Sequence, residues 1–371
     1  MGNREFVVDS KTGRVRQAGS DGEGQFIVQA REEMEKNLFY FAYGALGLTR
    51  LTQTLHLPVC QWITKIPSYR KLLLLPRDHL KTSIMRSLSI HILFQEKEKN
   101  IYFPGKPGEE TRILYAGETS TNAEHQLSWI QGHLETNTLL KGFWPHKLWK
   151  NSRKDSKRWN AKEFVLPRKT DFPEASMEAI GVGGAVTGRH YDVMQKDDLI
   201  SFAARNSPVI MGEASEWHKT SRSLLDDPDK GLEFIVGTHW ATGDIYDDML
   251  GNDDSVEPLV RAAVEDGEPI FPEMFSLKTL ARLERELGSL YPLLYMNTSA
   301  DPRLTDFKGE DLRVYRYDKN LLVFDRDERD EFRRAKSPSA MEQIIEEERM
   351  SLNEAARRGI LGKGAKINIR V

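Results

Sequence analysis

Lys81, Thr82 and Ser83 follow directly on Leu72-Leu-Leu-Leu-Pro-Arg-Asp-His-Leu80. Four apolar residues read as a buried strand, Pro76 to Leu80 as a tight turn, and Lys81 as the start of an apolar helical run that ends near Phe94. A strand, a turn and a helix opening at Lys-Thr have the layout of a phosphate-binding loop. In such a loop the backbone N–H groups at the helix N-terminus face the phosphates, where the helix dipole favours negative charge. Lys81 would neutralise the outer phosphates and Thr82 would place its hydroxyl on a magnesium ion. The usual glycines are missing, because Leu75 and Leu80 stand in their places. Taken alone, the segment therefore leaves open an ordinary strand–helix turn with a solvated lysine.

A sheet that hydrolyses a nucleotide also needs acids at the end of a second strand. Tyr191-Asp-Val-Met-Gln-Lys-Asp-Asp-Leu-Ile200 ends such a strand in Asp197 and Asp198. Asp197 would hold magnesium, directly or through water, and Asp198 would orient and polarise the attacking water. The same pair also suits an acidic turn capping the next helix. Buried strands seldom carry residues like Gln195 and Lys196, so the pattern predicts a strand frayed or edge-exposed just before the acids. A further strand, Leu232-Glu-Phe-Ile-Val-Gly-Thr-His-Trp240, leads to Gly243-Asp-Ile-Tyr246. A hydroxyl at its tip, Thr238, would sense the outer phosphate and couple hydrolysis to movement. As a bare strand end it would only cap a turn.

These side chains need a frame to hold them. With 371 residues and 39% hydrophobic content, the chain can bury a sizeable core. A net charge of -3 does not advertise nucleic-acid binding. Cys60 is the single cysteine, which leaves no internal disulfide framework and suits a reducing compartment. No apolar run approaches the roughly 20 residues needed to span a bilayer. Neither a signal-peptide core nor a myristoylation site is legible in Met1-Gly-Asn-Arg-Glu-Phe6. The expectation is a soluble intracellular protein.

Residues 1–24 are polar and rich in Gly, Ser and Asp, and are expected to form a loose arm. Helical patterns occupy 25–46 and 58–66. Strand-like runs at 72–75, 112–116, 191–194 and 233–236 then alternate with helical runs at 82–94, 122–135 and 215–225. This alternation predicts an α/β fold with a mainly parallel sheet flanked by helices. Runs at 163–166 and 177–180 are candidates for extra strands. A helix is expected over 276–286, the core should close near Asn297, and a charged tail should carry a helix over 339–358.

Together these residues resemble the ATPase half of the large terminase subunit, the DNA-packaging motor protein of tailed bacteriophages. The resemblance runs over about residues 39–315. Besides the strands above it includes His56-Leu-Pro-Val-Cys60, the loop Pro76-Arg-Asp-His-Leu-Lys-Thr82, Ile113-Leu-Tyr-Ala-Gly117, Thr187-Gly-Arg-His-Tyr-Asp192 and Phe271-Pro-Glu-Met-Phe275. It implies a P-loop NTPase fold of the ASCE, RecA-like kind over 25–300, with a linker and charged helical tail over 301–371. It also implies ATP and Mg2+ as cofactors. Residues 76–83 would bind nucleotide through Pro76, Arg77, Asp78, His79, Leu80, Lys81, Thr82 and Ser83. Thr82 and Asp197 would bind the metal, Asp198 would activate water and Thr238 would couple. Arg77 matches the family's loop arginine, which resembles a built-in arginine finger; on the residues alone it is also compatible with a surface charge on a turn. Gln61 is a candidate adenine contact, although its pattern fits a solvated helix residue better.

Three departures from the family are visible. Asp78 replaces the loop glycine and adds a negative charge beside the phosphates, costing a few kcal/mol at about 4 Å and an intermediate dielectric; His79 or Arg77 would have to compensate. Lys196 stands where an apolar residue is expected. The tail after Asp301 is too short for the family's nuclease domain of on the order of 100 residues. Its carboxylates Asp325, Asp327 and Asp330 lie among arginines, as on a solvated helix face. No nuclease activity is expected. Between Lys147 and Lys169 stand nine Lys or Arg against two acids, with Trp149 and Trp159 interleaved. That segment would track duplex phosphates without reading sequence, be an exposed basic loop with no partner, or extend Arg153, Arg158 or Arg168 to a neighbouring subunit's nucleotide. The implied partners are double-stranded DNA, the phage portal protein, the small terminase subunit and further copies in a ring, and the implied location is the host cytoplasm, on the procapsid during packaging. A helicase-like ATPase and a degenerate, non-hydrolysing assembly subunit are the rival readings.

Overall fold

The computed structural model describes residues 6–8, 15–17, 23–66, 68–184, 188–299, 315–318, 321–324 and 349–350. It divides into two compact units, residues 1–300 and 301–371. The first is built on a seven-stranded sheet. Numbered in chain order, its strands are β1 (Arg70–Leu74), β2 (Ile113–Gly117), β3 (Glu163–Phe164), β4 (Met177–Gly181), β5 (Val193–Asp197), β6 (Leu232–Gly237) and β7 (Glu257–Val260). Their spatial order is β3-β4-β2-β5-β6-β1-β7. All neighbours pair in parallel except β3, which runs antiparallel to β4. The loop strand β1 and the acid strand β5 thus flank β6, so three strand ends open on one edge of the sheet.

Every residue of β1, β2, β5 and β6 is buried. Continuous apolar runs such as Leu72–Leu74 follow from that position, because a parallel sheet is covered on both faces. One face carries Leu73, Tyr115, Val193 and Val236 in the larger core, with Ile84, Leu88 and Leu127 from the helices. The other carries Leu72, Leu74, Leu114, Met194 and Ile235. Three helices matter for the site: α1 (Lys81–Leu93), α2 (Ser120–Thr136) and α3 (Ile245–Asn252). A third cluster, including Phe271, Phe275, Leu280 and Leu294, forms around Leu277–Leu287 and packs on Leu80 of the loop.

Several expectations need correction. The strand before the acids is neither frayed nor at an edge, since β5 is central and Gln195 and Lys196 are fully buried. The helix expected over 215–225 starts earlier, at Pro208, because Ser207 caps it and Pro208 fits its first turn. The single helix expected over 25–46 is broken: Glu23–Lys36 stops at Asn37, whose side chain caps the next turn. The Met177–Gly181 run is an inner strand of the sheet. The edge strand β7 was not anticipated, since Glu-Pro-Leu-Val is short and holds a proline that only an edge tolerates. Where a loose arm was expected, Phe6–Val8 and Val15–Gln17 pair antiparallel.

In the second unit Tyr315–Asp318, Leu321–Phe324 and Arg349–Met350 form a three-stranded antiparallel sheet. Of the helix expected over 339–358, only Arg349 and Met350 are described, and they are strand. Asp325, Asp327 and Asp330 lie outside the described residues.

Candidate functional site

Pro76 follows two residues after β1, and the chain then makes two unusual turns before α1. Asp78 and Leu80 both adopt the left-handed region, with φ of 64° and 63°. Leu80 occupies the glycine position of the common loop, and its conformation is the one a glycine would supply. For a residue with a branched side chain this costs of order 1–3 kcal/mol. Leu80 also stands at the helix N-cap with no side-chain cap. The leading N–H groups of α1 are thereby left for a ligand, as an anion site requires.

The mouth of this turn is a cavity of about 440 Å3. Arg77, Asp78, Leu80, Lys81, Thr82 and Ser83 line it from the loop, Asp197 and Asp198 from β5, and Thr238 from the end of β6. Lys81 is mostly buried and its Nζ lies 3.3 Å from Asp198 Oδ2. Thr82 Oγ1 donates to Asp197 Oδ1 at 3.0 Å, and Tyr115 Oη donates to Asp197 Oδ2 at 2.7 Å. Burial and the neighbouring Asp198 push the Asp197 carboxyl up to about 6.

Consecutive strand residues point to opposite faces, yet both acids reach the cavity. The reason is the left-handed turn at Asp198, φ 47°, directly after the strand. Its N–H donates to Val236 O at 3.0 Å and its carbonyl accepts from Glu118 N at 3.2 Å. Asp198 Oδ1 is buried with no hydrogen-bond partner among the described residues. Glu118 also lines the cavity and accepts from Ser201 Oγ.

At the end of β6, Thr238 is buried and Gly237 is packed under Tyr246, so closely that a Cβ there would meet the ring at 2.1 Å. Asp244 caps α3 and accepts from Trp240 N at 3.0 Å. The Arg77 guanidinium lies 5.5 Å above the Trp240 ring.

Not every residue assigned from the sequence reaches this cavity. Pro76 and His79 are buried behind its wall. The His79 ring stacks on Phe275 at 4.9 Å and 3°, and its Nδ1 contacts Arg77 O at 2.9 Å. Burial holds it down to about 4, so at neutral pH it carries no charge to offset Asp78. Gln61 is exposed on the helix His56–Thr64 and does not line the cavity. Arg50 and Met274 do line the cavity, with Arg50 Nη2 2.9 Å from Met274 Sδ.

Lys196 does not intrude on the site. Its Nζ lies 2.5 Å from Glu233 Oε1 and 3.1 Å from His218 O. Arg70 Nε meets the other oxygen of Glu233 at 2.6 Å. Burial opposes the charge on Glu233, but Lys196, His218 and Arg70 outweigh it and bring the carboxyl down to about 2.

The basic segment is partly structural. Lys147 is buried and bonds Gln95 O at 2.7 Å and Glu109 at 2.6 Å. Trp149 donates to Val165 O and Trp159 to Glu135, both at 2.7 Å. Arg153 and Arg158 pair with Glu135 and Glu163, and Arg168 donates to Glu174 O. Lys150, Lys154 and Lys162 remain exposed. Thr187 of the Thr187–Asp192 stretch lies outside the described residues.

Tyr115 is the residue sequence reasoning missed. The signal was there: a tyrosine inside an otherwise aliphatic strand needs a partner for its hydroxyl.

No family model matches the chain, and no curated protein matches it. Among solved structures it is similar to the large terminase of a thermophilic bacteriophage, at 12% identity and a TM-score of 0.37, covering 71% of this chain and 61% of that one. It is also similar to the HK97 bacteriophage large terminase, at 15% identity and a TM-score of 0.39, covering 62% of this chain and 47% of that one. The chain thus spans roughly half to three fifths of the length of these solved chains.

Proposed function

We propose that this chain is a magnesium-dependent ATPase that drives double-stranded DNA into a phage procapsid, acting as a packaging motor subunit. One observation carries the catalytic part. Lys81 and Thr82 from the start of α1 meet Asp197 and Asp198 from the end of β5 in one cavity at an uncapped helix N-terminus, with Lys81–Asp198 at 3.3 Å and Thr82–Asp197 at 3.0 Å.

The donor set fits a magnesium ion. It consists of hard oxygens, the Thr82 hydroxyl and the Asp197 carboxylate, with the partnerless Asp198 Oδ1 close by. Thr82 and Asp197 would hold the ion, which when bound offsets charge on the phosphate oxygens. The leading amides of α1 receive the phosphates. Lys81 exchanges Asp198 for the outer phosphates, and Asp198, released, polarises the attacking water. Arg77 leaves the Trp240 face to stabilise charge on the transferred phosphoryl group. Thr238 senses whether that group is still present.

The DNA part rests on the ordered motifs and on the exposed Lys150, Lys154 and Lys162, which suit backbone phosphates. The portal protein, the small terminase subunit, a ring of copies and the host cytoplasm belong to the same proposal. Asp78 favours a second reading, a non-hydrolysing assembly subunit, because neutral His79 does not offset its charge. Steady-state ATP hydrolysis with and without duplex DNA decides between them. Turnover that rises with DNA and disappears in Lys81→Ala is expected, whereas a flat baseline in every condition selects the assembly subunit.

A further inference from the structure

We propose that Tyr115 is a positioning residue that sets the Asp197 carboxylate for a divalent cation, an inference that rests on the ATPase reading above. Tyr115 pairs in register with Gln195 across β2 and β5. Its side chain therefore stands on the same face as Asp197, two residues further along the neighbouring strand, within diagonal reach. The ring is fully buried, yet the residue still reaches the cavity wall.

The two oxygens of Asp197 are thereby given different partners. Oδ2 takes the Tyr115 hydroxyl at 2.7 Å and Oδ1 takes the Thr82 hydroxyl at 3.0 Å. A hydroxyl bonded to an ionised carboxylate is stronger than a neutral pair, and the packed ring cannot swing its hydroxyl elsewhere. Oδ2 is held at the β2 side, and Oδ1 is turned towards Thr82, where the cation would sit. Phenylalanine would fill the same volume but leave Oδ2 buried with no donor. The carboxylate, held by Thr82 alone, would then be free to turn about its own axis and lose the fixed orientation that the cation needs.

Residues that orient a metal ligand typically contribute 10–100-fold to metal affinity. Tyr115→Phe should therefore weaken Mn2+ binding about tenfold or more, read by electron paramagnetic resonance in the presence of ADP, with little change in thermal melting. In an Asp197→Asn background the same substitution should cost no further affinity, because the group it acts through is already altered. Unchanged Mn2+ affinity in Tyr115→Phe overturns the proposal. So does a loss that persists undiminished in the Asp197→Asn background, which also covers the case in which the substitution merely loosens the core. If the wild-type protein with ADP binds no Mn2+, the ATPase reading itself fails, and Tyr115 has no role left to play.

Discussion

Asp197 and Asp198 are adjacent in sequence but differ in surroundings, and the difference predicts different phenotypes. Asp197 is buried and bonded on both oxygens, whereas Asp198 is half-exposed and faces Lys81. Asp198→Asn should bind ATP and magnesium almost normally but turn over roughly 10²–10⁴-fold more slowly, the usual loss of a general base. Asp197→Asn should instead weaken magnesium dependence and nucleotide binding together, because a hard cation loses an anionic oxygen. Isothermal titration and turnover on both variants test this. Identical phenotypes would reduce the pair to a turn cap and make Glu118, on the same cavity wall, the next carboxylate to examine. Asp78 gives a second prediction. It is exposed, so solvent screens part of its repulsion, and Asp78→Gly should tighten ATP on the order of tenfold, or ~1.4 kcal/mol, while supplying the left-handed φ more cheaply. Equal or weaker binding would mean that Asp78 contributes a favourable contact. The residue scale is also where the sequence was most legible, because Lys81, Thr82 and the acid pair announce themselves by type and local spacing. Leu80 was read as a missing glycine, although its backbone does what the glycine would do. That was hidden because φ is set by the surrounding packing, here Leu80 against the cluster of Phe271 and Phe275.

At the scale of elements, the strand order brings the ends of β1, β5 and β6 together, and the alternation of these strands with helices is legible because each carries a short apolar run. Lys196 misled the reading because its partner lies 37 residues away, on β6. Neither hydrophobic pattern nor propensity reports a pairing made by a neighbouring strand, so a buried cation looked like an exposed one. Gln61 sits exposed on its helix and off the cavity lining, in keeping with the solvated helix position that its pattern favours. The buried charge cluster yields a third prediction. Glu233→Gln strips the ionic partner from buried Lys196 and one of the two from Arg70, which keeps Asp253 at 2.7 Å, and leaving a buried charge unpaired costs about 3–5 kcal/mol. Lys196→Met should cost less, because Arg70 still bonds Glu233 and the methionine can pack on the Trp217 ring. Denaturant midpoints should therefore fall in the order wild type, Lys196→Met, Glu233→Gln. Nucleotide binding should survive in Lys196→Met, since that side chain points away from the cavity. The reverse order of stability would show that the cluster is held by something other than Glu233.

At the scale of the whole molecule, five histidines are buried among the described residues, and four of them, His56, His79, His91 and His218, are held below the ordinary imidazole range. Burial lowers the first three to about 4, and burial with Lys196 beside it lowers His218 to about 3. In the unfolded chain each would titrate near 6.5. Between pH 6.5 and about 4 the unfolded state therefore binds more protons, and stability must fall as the solution is acidified. Each such histidine can contribute a slope of up to about 1.4 kcal/mol per pH unit. Asp197 acts in the opposite direction. Its folded value is raised to about 6, so its contribution is greatest at low pH and is lost as pH rises through 6. One carboxyl against four imidazoles cannot reverse the sign. Carboxylates held below their ordinary values, such as Glu233, add their loss only at lower pH, below about 4.5. The melting temperature should drop steadily from pH 6.5 to 4.5, with a net loss on the order of a few kcal/mol. His79→Phe isolates one member of the set, because phenylalanine can keep the stack on Phe275 without a titrating nitrogen. It should flatten the acid limb by about one histidine's share and leave the neutral-pH melt nearly unchanged. A melting temperature that holds level or rises between pH 6.5 and 4.5 would mean that these rings take up protons within the folded protein. An unaltered slope in His79→Phe would place the His79 ring in contact with water, and so return it to the phosphate loop as a charge able to answer Asp78.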